Sequence, residues 1–186
     1  MKKTTCKSVK EVLETLQGIL LNESDLIVKM IKDKKANPLE LFDVKAFGES
    51  NCNSMVTNTD AGIYVFMLAT TVQVNPQSGL KFNDIEFGAK TNKNLSGGQF
   101  LKDNCFYLGK AENKMLKRIE EHLDSKNKTT YSLKLNELAR QHVKKHLCIY
   151  TFAIKDCYKE FRKDILCIIE KHLHNKLKPL VGTKRS

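Results

Sequence analysis

Apolar positions recur along this chain with two different periods, and the switch between them lays out its elements. Over residues 7–33, Val9, Val12, Leu13, Leu16, Ile19 and Leu20 are spaced by three and four, as on one face of a helix. Asn22, Glu23 and Ser24 interrupt that stripe, and Leu26, Ile27, Met30 and Ile31 resume it, which predicts a second, short helix. Lys32 to Asn37 is a polar break ending at Pro38, and residues 46–61 have the Gly, Ser, Asn and Thr content of loops. The run from Gly62 to Val72 is apolar, β-branched and aromatic, and predicts a strand. Residues 73–100 are loop-rich, with Pro76, Gly79, Gly88 and the pair Gly97 and Gly98, and leave room for a short strand near Ile85 to Phe87.

Cys105 to Gly109 is the next strand-like run. Ala111 to Leu123 follows as a helix with Met115, Leu116, Ile119 and Leu123 facing inward. Lys126 to Thr130 reads as a linker, Leu133 to Lys145 as a helix and Leu147 to Ile154 as a buried strand. Asp156 to His174 reads as the last long helix, stopped by Pro179 and Gly182 ahead of a basic tail. A helical lead-in followed by β, β, α, α, β, α implies an α/β fold: a small, mainly antiparallel sheet of about three strands flanked by helices.

Composition narrows the partners. With 186 residues and 41% hydrophobic content the chain suits one domain with a real core. Its 32 Lys and Arg against 21 Asp and Glu leave +11, which favours a polyanion, because each neutralised phosphate releases a counterion. The six cysteines, at 6, 52, 105, 148, 157 and 167, form no C-x-x-C pair, so no zinc ribbon is signalled. His142 and His146 have a helical spacing that suits zinc but lack an obvious third ligand. No stretch reaches the roughly 18 to 20 apolar residues of a membrane span. The basic opening runs into a helix carrying Glu11 and Glu14 rather than into a signal peptide, so a cytoplasmic protein with reduced thiols is expected.

Four features then fall in one order. Gly62, Ile63 and Tyr64 head a strand, and Tyr107, Leu108 and Gly109 end another, followed at once by Lys110. Arg118 lies nine residues beyond Gly109 on a helix, with His122 one turn on. Glu170, with Leu173 three residues later, precedes Lys178 and Pro179. In this series the chain resembles the GIY-YIG nuclease superfamily, and among its members the restriction endonucleases, over about residues 60–182. GIY stands at 62–64 and YLG at 107–109, the Leu being a mild variant. Two departures stand out. Forty-two residues separate Tyr64 from Tyr107, an insertion like those with which restriction-type members read DNA. The Asn that often follows the proline by about three residues is Gly182 here.

The resemblance implies a helical N-terminal extension over 1–58 and a nuclease domain over 59–186 with an insertion at 73–104. It also implies a catalytic set of Tyr64, Tyr107, Arg118, His122 and Glu170. Glu170 would hold one divalent ion, Mg²⁺ or Mn²⁺, while Gly109, Lys110 and Lys178 would contact substrate. These residue types suit phosphodiester hydrolysis. A guanidinium forks onto phosphate oxygens, a carboxylate holds a Lewis acid, and a tyrosine whose pKa is lowered by nearby cations can take a proton from water. His122 would assist proton movement or bind phosphate. Each residue also has a plainer reading: strand tyrosines pack, Arg118 can pair with Glu121 or His122 along its helix, and Asp164 and Glu160 rival Glu170 as the ligand. The function expected is a divalent-metal-dependent DNA endonuclease of the type II restriction kind, acting on double-stranded DNA, possible as a homodimer, with no membrane partner. The alternative is a catalytically weak nucleic-acid-binding protein that kept the fold.

Overall fold

The computed structural model describes residues 9–33, 42–46, 60–73, 99–124, 132–137 and 140–182. Its centre is an antiparallel sheet in the order β1-β6-β2-β5, built from β1 (Phe42–Ala46), β2 (Gly62–Leu68), β5 (Cys105–Ala111) and β6 (Leu147–Ile154). The α/β class and the small antiparallel sheet agree with the sequence pattern. The fourth strand, β1, was not anticipated and falls within residues expected to be a helical extension. Two short strands, β3 (Val72–Gln73) and β4 (Gln99–Phe100), pair at the root of the long insertion. The strand expected near Ile85 to Phe87 and the linker from Lys126 to Thr130 lie outside the described residues.

Alternation along β2 divides the core. Tyr64, Phe66 and Leu68 face one side, where they meet Met115 and Ile119 of α2 (Met115–Asp124). Ile63, Val65 and Met67 face the other, against Leu20, Ile27 and Ile31 of α1 (Val9–Asp33) and Leu166, Ile169 and Leu173 of α4 (Arg162–Leu177). All seven residues of β2 are buried, as befits a strand covered on both faces.

Four expected boundaries move, the first three for a local reason. The polar triplet at 22–24 does not break α1: the Ser24 hydroxyl donates to the Leu20 carbonyl at 2.8 Å, and Glu23 and Ser24 are buried. Helix propensities of such residues differ by about 0.5 kcal/mol, less than α1 gains by packing along α4. Helix α2 begins at Met115 instead of Ala111, because Ala111 pairs with Gly62 in the sheet and Lys114 turns the chain at φ 52°. The helix expected over 133–145 forms only at α3 (Gln141–Lys144), since Leu133 and Leu135 enter the core in an irregular segment. A 3₁₀ segment, Asp156–Phe161, leads into α4, so the last helix proper starts at Arg162.

Candidate active site

The site is assembled around a cross-strand pair. Tyr64 of β2 lies directly opposite Gly109 of β5, and residues opposed in a sheet point to the same face. A Cβ on Gly109 would come within 2.5 Å of the Tyr64 hydroxyl and 2.6 Å of its ring, so only glycine lets that ring lie across the edge strand. Tyr107, two residues earlier on β5, brings its ring centroid to 6.2 Å from that of Tyr64 and 4.7 Å from that of His122. Phe66, on the same face as Tyr64, packs edge-on beneath Tyr107 at 6.0 Å and beneath His122 at 5.9 Å.

His122 reaches this cluster from α2, with Nε2 3.0 Å from the Tyr64 hydroxyl. Its Nδ1 accepts the backbone N–H of Leu133 at 3.1 Å. Burial first, and the Arg118 charge second, push the His122 pKa down to about 3. A neutral imidazole whose Nδ1 accepts must carry its proton on Nε2, so His122 donates to Tyr64. At rest both ring nitrogens of His122 are engaged, Nε2 with the Tyr64 hydroxyl and Nδ1 with the Leu133 N–H.

Arg118, one turn before His122, ion-pairs with Glu121 at 2.7 Å and also hydrogen-bonds to Tyr64. Burial raises the Tyr64 phenol well above its ordinary value, as does Tyr107, while Arg118 pulls it down by less. At rest the phenol is thus neutral, opposite in sign to the lowering expected of a base. It accepts from His122 and retains its own proton as a donor.

Glu170 is buried and comes from α4, on the opposite face of the sheet. Its neighbours show how that helix runs beside edge strand β5. At Cys167, three residues before it, the thiol sulfur lies 3.1 Å from Lys110 Nζ. At His174, one turn after it, the ring lies 3.9 Å from where a Gly182 Cβ would stand, and that Cβ would also be 3.5 Å from the Tyr107 ring. The N–H groups of Leu180 and Val181 donate to the carbonyls of Cys105 and Phe106, so the C-terminal segment wraps the β5 edge from the helix to the tyrosine face. Glu170 therefore stands along β5 between the contacts at Lys110 and Tyr107. Asp164 and Glu160, the rival ligands, are exposed.

Lys110 is held by Glu112 at 2.9 Å as well as by Cys167. Lys178 does not join the cluster: it caps α4 at φ 46° and lines a separate cleft. The His142 and His146 rings meet edge-on at 5.4 Å, with His146 bonded to Thr70 at 2.7 Å. Among the described residues no group of three or more His, Cys, Asp or Glu side chains could share a metal ion. A single hard carboxylate is nevertheless a donor suited to Mg²⁺ or Mn²⁺, because such ions take one or two carboxylates and fill the remaining positions with water and phosphate oxygens.

Sequence reading anticipated the Arg118–Glu121 pair but missed Phe66, Cys167 beside Lys110, and the Leu133 N–H that sets the His122 tautomer. Phe66 was within reach, since strand period places it beside Tyr64. The Leu133 contact carried no signal, because it joins α2 to an irregular segment eleven residues on. Compared with known proteins, the chain matches no family model, no curated protein and no solved structure. No helix among the described residues is long and apolar enough to cross a membrane.

Proposed function

We propose that this chain is a divalent-metal-dependent DNA endonuclease of the GIY-YIG type, acting on double-stranded DNA as a type II restriction enzyme. The observation that supports it most is the convergence of Tyr64, Tyr107, His122 and Arg118, drawn from three elements, over a glycine that leaves the Tyr64 hydroxyl room at the sheet edge. Such a grouping exceeds what packing requires, since a buried phenol bonded to both an imidazole and a guanidinium is costly to desolvate.

In this reading Arg118 exchanges Glu121 for the phosphate and forks onto its non-bridging oxygens. His122 holds Tyr64 in place, and at rest the phenolic proton is shared with Tyr107. Tyr64 takes a proton from water only as the phenolate, after its own proton has been lost to solvent once cations at the bound phosphate offset its burial, and Arg118 already acts in that direction. Tyr107 orients the phosphate, and Lys110 contributes positive charge at the β5 edge. Glu170 holds the Mg²⁺ or Mn²⁺ ion, whose Lewis acidity stabilises the leaving oxygen. Cutting both strands of a palindromic site calls for two copies related by a two-fold axis, hence a homodimer on DNA.

One observation favours a second reading, a nucleic-acid-binding protein of low catalytic power: Tyr64 and Glu170 are only 1% and 3% exposed. Incubating the protein with supercoiled plasmid and Mg²⁺ separates the two. An endonuclease yields nicked and linear forms, with discrete bands for a restriction enzyme, and Arg118→Ala or Glu170→Ala lowers the rate by at least about 100-fold. Salt-sensitive DNA retention with intact supercoils supports the binding protein instead, and undiminished cutting by either variant removes the mechanism above.

A further inference from the structure

A second concavity opens on the face of the sheet away from Tyr64. It is a cleft of about 770 Å³ where the C-terminal ends of α1 and α4 meet the end of β2 and the turn before β5. Its volume lies within the roughly 300–1,000 Å³ of small-molecule sites. Among the described residues four lysines line it, Lys32, Lys102, Lys176 and Lys178, against the Asp103 carboxylate, and Lys176 is ion-paired with Asp25 at 3.4 Å, which leaves three lysines available to an anion. Lysines near a helix C-terminus complement the macrodipole, and the two helix ends here bring about half a negative charge each. Three of the four lysines have that role open to them. Lys102 does not, because it sits on the turn between β4 and β5, and the cationic surplus remains after both helix ends are offset.

The rest of the lining is mixed. Met67, Leu177 and the Tyr150 ring supply apolar and aromatic surface, and Asn104 supplies a neutral polar group. The Tyr150 phenol is pushed up to about 12, first by burial and then by neighbouring Cys148, so it remains a hydrogen-bond donor at neutral pH. Inorganic anions need no apolar floor, and a purely apolar ligand gains nothing from ammonium groups. A nucleotide uses both.

We propose that this cleft binds a nucleotide, its phosphate held among Lys32, Lys102 and Lys178 and its base against Met67, Tyr150 and Leu177. Base stacking on an aromatic ring beside a cationic groove is the physics of single-strand and nucleotide recognition alike. The nucleotide is either free or one unit of a nucleic-acid strand. The assignment stands apart from the endonuclease reading, since it concerns another face and is measured without cleavage.

The test is calorimetric titration of the full chain in EDTA with dATP, with pyrophosphate, and with a 5′-phosphorylated single-stranded octanucleotide. The comparison is the double variant Lys32→Glu/Lys102→Glu, whose positions are exposed and leave the fold intact, as its melting temperature will show. Binding of dATP at micromolar order, weakened about tenfold or more in the variant, identifies a free-nucleotide site. Binding of the octanucleotide alone, with the same loss, identifies a strand site. The proposal is overturned if neither ligand binds, if the variant binds both unchanged, or if pyrophosphate binds as tightly as dATP. Intact nucleotide binding with no plasmid cleavage would sink the endonuclease reading while leaving this one in place.

Discussion

His122 engages both ring nitrogens inside the protein, and that commitment makes the residue measurable. Its pKa in the unfolded chain is near 6.5, and in the folded protein it is pushed down to about 3. Between those values protons bind the unfolded chain first, so the contribution of His122 is fully present above pH 6.5 and is lost as pH falls. Denaturant titrations between pH 6.5 and 5 should show stability falling by up to about 1.4 kcal/mol per pH unit from this group. His122→Gln should flatten that slope, and an unchanged slope would contradict the buried neutral ring. Tyr64→Phe removes the acceptor for the buried Nε2–H, which costs about 1–3 kcal/mol of stability and, if the proposed chemistry holds, cleavage as well. Gly109→Ala drives a methyl into the Tyr64 ring, so nicking should drop sharply with only about 1–3 kcal/mol lost in folding. Full activity in Gly109→Ala would show that the position of the phenol does not matter.

Among the elements, the segment carrying Leu133 controls the site from a distance. The buried Arg140 donates to the Leu133 carbonyl at 2.9 Å and pairs with Glu137 at 3.1 Å, and the Leu135 N–H donates to the His122 carbonyl. Arg140 thus holds the strand of chain that holds the histidine that orients the tyrosine. Arg140→Ala should lower stability by about 1.5–3 kcal/mol, the range for hydrogen bonds to a charged group. If the proposed chemistry holds, it should also lower kcat while leaving KM nearly unchanged, because Arg140 acts through the Leu133 segment and His122. A melting shift with unchanged kcat would make Arg140 structural only. The same segment shows why its helix was misread. Leu135 and Val143 have helix-compatible spacing, but Leu133, two residues before Leu135, would fall on the opposite side of a helix, and all three enter the core beside α2 while Lys134 adopts φ 48°. Period alone does not distinguish a helical face from an irregular segment whose alternate residues are buried.

At the scale of the whole molecule, the surplus of +11 bears on encounter with a polyanion, DNA in the proposed function, more than on the fold. If about six phosphates are neutralised on binding, log affinity should fall with log salt at a slope of about −5. Fluorescence anisotropy with a labelled duplex reads this directly, and a slope shallower than about −2 would remove the polyanion argument. The sheet itself depends on one close approach. A Cβ on Gly62 would stand 2.0 Å from the Phe152 carbonyl oxygen, so this glycine permits β2 and β6 to pair at their ends and presents Tyr64 two residues on.

The sequence by itself determined the three central strands, expected at 62–72, 105–109 and 147–154 and formed at Gly62–Leu68, Cys105–Ala111 and Leu147–Ile154, because continuous apolar and β-branched runs have few alternatives once both faces are covered. It also pointed to Tyr64, Tyr107 and Arg118, whose order and spacing survive any packing. Tertiary structure alone decided the rest. It set the tautomer of His122 and made the ring a donor to Tyr64 at rest, because a tautomer is set by what the far nitrogen meets. It reversed the sign expected for the Tyr64 pKa, because desolvation depends on every neighbour at once. It set Glu170 along β5, on the other face of the sheet, because which face a helix covers is decided by how the chain crosses the sheet, a property no local pattern carries.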